Sequence, residues 1–142
     1  MASDACVTLV VNNTMAPRHT VVLAENHPEM RKELSRLLQN DLEIVCAVDD
    51  GISALRAVAE HEPSLAILDV SMPKMSGIEV AYELKKLKLA TRIIFISIQS
   101  DRDFVQAMTS LGASYVAKVR MRTDLPIAVR EMLNGRIFIS PT

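Results

Sequence analysis

Several apolar runs in this chain break on a polar side chain that could do chemistry. Glu25 and Asn26 follow Val21-Val22-Leu23-Ala24, and Asp69 follows Leu65-Ala66-Ile67-Leu68. Ser97 ends the run that starts at Arg92, and Lys118 follows Ser114-Tyr115-Val116-Ala117. An acid with an amide beside it, a second carboxylate, a hydroxyl and an ammonium suit phosphoryl transfer to a carboxylate. In that chemistry Asp69 attacks phosphorus and keeps the group as an acyl phosphate. A divalent cation on oxygen ligands offsets the crowded negative charge, and Lys118 and the Ser97 hydroxyl contact the phosphoryl oxygens.

These residues are far apart in the chain, so the elements between them must bring them together. Short β-rich runs alternate with stretches of helical spacing. Val21–Ala24 is a strand, and Pro28 fits the first position of a helix carrying Met30, Leu34, Leu37 and Leu38. Leu42–Val48 reads as a strand, Asp49-Asp50-Gly51 as a turn and cap, and Leu55, Val58 and Ala59 as a helix face. A third strand ends at Asp69, and Val80, Leu84 and Leu87 mark a third helix. Arg92–Ser97 is a fourth strand. Ser100 with Asp103 resembles a capping box opening a helix that Gly112 closes. Ser114–Ala117 is the fifth strand, and a last helix runs from about Asp124 to Leu133, ending at Asn134-Gly135. Five βα units with nearly continuous apolar strands predict a parallel sheet covered on both faces, an α/β doubly wound sandwich. In such sheets the site lies at the carboxyl ends of the strands, where the residues named above fall.

Taken in order, Glu25-Asn26-His27-Pro28, Asp69-Val70-Ser71-Met72-Pro73-Lys74-Met75-Ser76-Gly77, Ser97 and Gly112-Ala113 through Lys118 resemble the response-regulator receiver domain of two-component signalling, of the NarL/FixJ kind. The resemblance covers about Val21 to Gly135. It implies a flavodoxin-like fold with strand order 2-1-3-4-5 and five helices. It also implies that Asp69 accepts phosphate from the phosphohistidine of a sensor histidine kinase. Glu25, Asn26, Asp69 and the Ser71 backbone carbonyl would surround Mg²⁺. Ser97 would be the switch hydroxyl, Tyr115 the switch aromatic that moves inward, and Lys118 the site lysine. The surface of the fourth helix, fifth strand and fifth helix would change its partner affinity, with homodimerisation through that face as one outcome. Asn134 to Pro141 resembles the end of such receivers before a linker to a helix-turn-helix output domain. The expected organisation is therefore an extension over 1–18, a receiver over 19–135 and the start of a linker over 136–142. Transcription control and DNA contact belong to the output domain, which these residues do not include.

One departure bears on the chemistry. The resemblance implies two acids after the first strand, and this chain has Glu25 then Asn26. Mg²⁺ favours carboxylates, so weaker metal binding and slower phosphorylation are expected. A receiver-like interaction module that works without phosphate is the alternative. An Asp-nucleophile phosphatase would carry Asp-x-Asp, and Asp69-Val70-Ser71 lacks it. With four glycines there is no G-x-G-x-x-G and no P-loop for a nucleotide. Simpler readings stand beside these. Asn26 could serve the helix start and Tyr115 could be packing, and His27 reads as filling the helix-start region rather than binding metal, since His19 and His61 show no ligand spacing with it. Arg120 and Arg122 could be a solvated loop. A net charge of −1 gives no basic field for nucleic acid. No stretch reaches the roughly 18 apolar residues of a membrane span, and no Lys or Arg precedes Arg18, so a cytoplasmic protein is expected. Cys46, within Ile44–Val48, reads as a buried reduced thiol, and Val7–Val11 as an extra edge strand or a loose extension.

Overall fold

A computed structural model describes residues 18–99 and 101–141. The expected edge strand at Val7–Val11 and the capping role of Ser100 fall outside them. Strands β1 (Thr20–Ala24), β2 (Glu43–Val48), β3 (Leu65–Asp69), β4 (Arg92–Ser97) and β5 (Ser114–Ala117) form one sheet. Every pair is parallel and the order is β2-β1-β3-β4-β5, as the receiver resemblance implied. Helices α1 (Pro28–Leu38), α2 (Gly51–His61), α3 (Gly77–Lys86) and α4 (Arg102–Thr109) connect successive strands, and α5 (Met121–Leu133) follows β5.

Alternation along the strands divides the core into two layers. Val21 and Leu23 of β1 pack with Leu34 and Leu38 of α1 and with Leu125 and Ala128 of α5. Val22 and Ala24 turn the other way, toward Ala54 and Val58 of α2 and Val80 and Leu84 of α3. All are buried, and each large aliphatic side chain removed from water contributes about 1.5–3 kcal/mol. Cys46 is fully buried in this layer, as expected, but it is disulfide-bonded rather than reduced. Leu87, expected on the buried face of α3, sits at its C-cap and is exposed.

The helix starts follow local chemistry. Pro28 opens α1, where its missing N–H costs nothing. The Asp50 side chain accepts from Ser53 N at 2.8 Å and caps α2. Ser76 and Glu79 form a full capping box on α3. Asp101 caps α4 by accepting from Phe104 N. Gly112, at φ 78°, turns the chain after α4. Two other glycines let helix starts crowd the loop after β3. A Cβ on Gly51 would lie 1.8 Å from the Met75 carbonyl oxygen, and one on Gly77 would lie 2.4 Å from that of Asp69.

The start of α5 differs from expectation. The last helix was expected from about Asp124, but α5 begins at Met121 after a 3₁₀ turn over Lys118–Arg120, leaving Pro126 inside it. The upstream turn is held by Asp124, which is 2 % exposed and accepts from Arg120 Nε at 2.8 Å and from Ser140 Oγ at 2.7 Å. Arg120 and Arg122 are therefore not a free loop: Arg122 Nε lies 3.1 Å from Glu33 of α1. At the far end, Arg92 of β4 donates to the Met132 and Leu133 carbonyls, satisfying groups the helix leaves open.

Residues 137–140 lie beside the outer edge of β5. Tyr115 N donates to the Phe138 carbonyl, Ser140 N donates to the Tyr115 carbonyl, and Phe138 N donates to Ser114 Oγ. The Ser140 hydroxyl also accepts from Ala117 N at 3.0 Å while it donates to Asp124. Burial alone would raise the Asp124 carboxyl, but bonds from Arg120, Ser140 and Thr123 outweigh it and hold it below the usual range. A depressed carboxylate stabilises the fold fully above its unfolded value, about 4, and that contribution fades as pH falls through the folded value. Ser140→Ala, which strands the Ala117 amide, should cost about 1–3 kcal/mol in urea unfolding at pH 7. Asp124→Asn should also destabilise at pH 7, with its gap to wild type narrowing below about pH 4. A pH-independent gap for Asp124→Asn would contradict this account.

Candidate functional site

The order of strands reverses between β1 and β3, and the carboxyl ends of these strands bring Glu25 and Asp69 side by side. Both are closed off from water, at 0 % and 1 % exposure. Lys118 reaches them from the 3₁₀ turn after β5, two strands away. Its Nζ lies 3.0 Å from Asp69 Oδ2 and 3.2 Å from Glu25 Oε1. The first contact is a hydrogen bond; the second is an ion pair only, so Glu25 Oε1 is buried without a hydrogen-bond donor. Two anions thus share one cation.

That arrangement separates the two acids. Burial pushes Asp69 up, the Glu25 charge adds to it, and Lys118 only partly opposes, leaving its carboxyl at about 6. Burial also raises Glu25, but the His27 amide, Lys118 and the His27 ring together hold it below its usual range. Both His27 N and Nδ1 address Glu25 Oε2, at 3.0 and 3.1 Å. At neutral pH Asp69 is the less stabilised carboxylate of the two, a suitable state for a nucleophile.

The remaining expected residues surround this pair at different distances from the chemistry. Asn26 is half-buried beside Glu25. Ser71 is exposed, and its amide donates to Asp69 Oδ1 at 3.2 Å. Ser97 is buried, with its hydroxyl accepting from Gln99 N at 2.9 Å rather than bonding Asp69. Tyr115 is fully buried and donates its hydroxyl to the Gln99 carbonyl at 2.9 Å. It was expected to move inward on activation, but it is already inside. The loop over Asp69 is braced from α2: Gly51 N donates to Pro73 O, Lys74 Nζ stands 3.7 Å from Asp50, and Lys74 takes a left-handed backbone at φ 71°.

Two roles lie beyond what the sequence indicates. His27 fills the start of α1, as expected, but it also bonds Glu25, which its place directly after the acid–amide pair could have signalled. The Gln99 peptide meets both Ser97 and Tyr115 through main-chain atoms, and no side-chain pattern announces it. Beyond Asp69, a cleft of about 340 Å³ opens between Ser97, Ile98, Lys118, Val119, Arg120 and Pro141.

A family profile described as the response regulator receiver domain matches residues 21–130. The chain belongs to the response regulator receiver domain family. It is 31 % identical over 135 residues to the Mycobacterium tuberculosis (strain H37Rv) protein named "Probable transcriptional regulatory protein NarL", covering 93 % of this chain and 62 % of that one. It is 31 % identical over 123 residues to the oxygen regulatory protein NreC of Staphylococcus epidermidis (strain ATCC 12228), covering 84 % and 56 %. The chain thus spans about three-fifths of the length of the curated relatives it matches. Among solved structures, a two-component response regulator of the LuxR family from Aurantimonas sp. SI85-9A1 superposes with a TM-score of 0.82. It is 26 % identical, with 88 % of this chain and 91 % of that one covered. The receiver domain of NarL from Mycobacterium tuberculosis gives 0.80 at 31 % identity, over 85 % of this chain and all of the other. Receiver domains are signalling domains, and this one carries the fold and strand order of the family.

The donor set fits a divalent cation. Two buried carboxylates face each other with one ammonium between them, and one carboxylate oxygen lacks a hydrogen bond. Without a cation the second negative charge is a burden on the fold. Asp69→Asn should therefore raise stability by on the order of 1–2 kcal/mol in metal-free urea unfolding, by removing an under-compensated buried charge. A variant less stable than wild type would show that Asp69 is fully paid back by Lys118.

Proposed function

We propose that this receiver domain accepts a phosphoryl group on Asp69 and thereby alters a partner-binding surface, as the switch of a two-component transcription regulator. The observation that carries the reading is Lys118 Nζ at 3.0 Å from Asp69 and 3.2 Å from Glu25 at the closed end of the sheet. A carboxylate oxygen of Asp69 forms the new O–P bond. The bond from phosphorus to the donor's imidazole nitrogen breaks, and that imidazole leaves. Lys118 balances charge on the carboxylates and then on the phosphoryl oxygens. Glu25, Asn26, Asp69 and the Ser71 carbonyl are the residues to hold magnesium. When bound, magnesium offsets the charge that gathers on the phosphoryl and carboxylate oxygens.

The donor is a sensor histidine kinase, and the apolar rim beside the pocket suits such docking: Ile98 and Val119 are 78 % and 91 % exposed. The switch follows from the Gln99 peptide. If Ser97 turns its hydroxyl to the phosphoryl group, it releases Gln99 N, and Tyr115, bonded to Gln99 O, feels the same loop move. The surface of α4, β5 and α5 then changes its affinity, for a second copy of the chain among other partners. Residues 19–135 form the receiver, 1–18 an extension, and 136–142 lead toward an output domain that contacts DNA. No helix among the described residues is long and apolar enough to cross a membrane, and the proposed setting is the cytoplasm.

Incubation with acetyl phosphate and Mg²⁺, followed by intact-mass measurement, should add one phosphoryl group to wild type and none to Asp69→Ala. No adduct, or an equal adduct on Asp69→Ala, would leave the phosphate-independent interaction module as the reading, with Asn26 as its support. Asn26→Asp should tighten Mg²⁺ by about 10-fold through the added carboxylate and speed the adduct's formation. Equal Mg²⁺ affinity in the two proteins would remove Asn26 from the metal site.

A further inference from the structure

The loss of the second acid at position 26 leaves the pocket short of a strong ligand, and the structure holds another donor against it. Glu25, His27 and Asp69 each place one ligating atom within 4.8 Å of the others. We propose that His27 supplies the ligand that Asn26 cannot, so that this pocket takes a first-row transition dication on two carboxylates and an imidazole. The inference rests on reading the Asp69 pocket as a cation-holding site, and it concerns which ion that site prefers.

Three observations carry it. Glu25 is fully buried, and its Oε1 has no hydrogen-bond donor, with Lys118 as its countercharge 3.2 Å away. His27 is not placed at random near it, because its own amide is bonded to Glu25 Oε2 and the ring Nδ1 meets the same oxygen at 3.1 Å. The imidazole is 69 % exposed and sits at the N-cap of α1, so it can turn onto an ion without unpacking the core. The other two histidines are elsewhere: His19 lies against Ser64, and His61 ends α2.

The chemistry then separates the ions. Mg²⁺ is hard, keeps its waters and gains little from nitrogen. Zn²⁺ and its neighbours accept imidazole with carboxylate readily. A dication bound through His27 would engage the same Asp69 carboxylate that attacks phosphorus, and would compete with phosphorylation.

Calorimetric titration of the full chain with Zn²⁺ and, separately, with Mg²⁺ tests this. The binding step of interest is the one absent from Asp69→Ala. In wild type that step should be at least about 10-fold tighter for Zn²⁺ than for Mg²⁺. His27→Ala, an exposed change that leaves the core intact, should weaken Zn²⁺ by about 10- to 100-fold and Mg²⁺ by a smaller factor, so that the preference for Zn²⁺ over Mg²⁺ falls. Unchanged Zn²⁺ affinity in His27→Ala, with Mg²⁺ still bound, overturns the role of His27 and leaves the phosphoryl-acceptor reading standing. If Asp69→Ala and wild type are alike for both ions, the pocket holds no cation and the metal-assisted reading falls with this one.

Discussion

Two buried carboxylates share a single ammonium, and most of the architecture can be understood as what makes that tolerable. Glu25 and Asp69 come together because β1 and β3 are neighbours where the strand order reverses. Lys118 reaches them because a 3₁₀ turn folds back at the end of β5. Isolated charges at this depth would neutralise themselves instead of persisting. The compensation is unequal: Glu25 has His27 and Lys118, whereas Asp69 has Lys118 and one amide. The fold thus stabilises Glu25 and leaves Asp69 the less stabilised carboxylate of the two. A site of this type carries its function at a cost in stability, and the two aliphatic core layers supply the surplus.

The phosphorylation chemistry would stay local without a path to the surface, and two sets of bonds lead outward from the pocket. One runs through the Gln99 peptide, which accepts from Tyr115 and donates to Ser97. The other runs through Ala117, the residue before Lys118, whose amide is held by Ser140, which in turn holds Asp124. Tyr115 belongs to both, since its main chain pairs with Phe138 and Ser140 along the edge of β5. These contiguous bonds join the β4–α4 loop to the β5 edge and are the physical route by which a shift of one biases the other.

Most of the fold could be read from the chain because each strand is a short apolar run bounded by turn residues, and most helix starts carry a local signal. Asp50, Ser76 and Pro28 are signals of that local kind. The candidate site was legible for a related reason: strand-end polar residues must meet once the sheet is parallel and doubly wound. What failed was non-local. The last helix begins a turn before the expected Asp124, and part of what holds Asp124 in place is Ser140, distant in sequence. Ser97 and Tyr115 were identified as residues, but the peptide that joins them contributes main-chain atoms that any residue would supply. Cys46 looked like an ordinary core thiol because burial alone does not distinguish a reduced sulfur from a bonded one.

Asn26 becomes intelligible when the cation-free state is considered beside the loaded one. A carboxylate there would place a third anion next to a pair that already shares one ammonium. An amide avoids that repulsion and keeps a carbonyl oxygen, but it gives up much of the attraction for Mg²⁺. His27 changes the balance in the other direction. An imidazole carries no negative charge, so it adds none to the empty pocket, yet its nitrogen is a strong donor to ions that Mg²⁺ does not resemble. An amide at 26 with an imidazole at 27 thus leaves the empty pocket less negative than two adjacent acids would, and ligand softness as well as charge bears on which ion suits it.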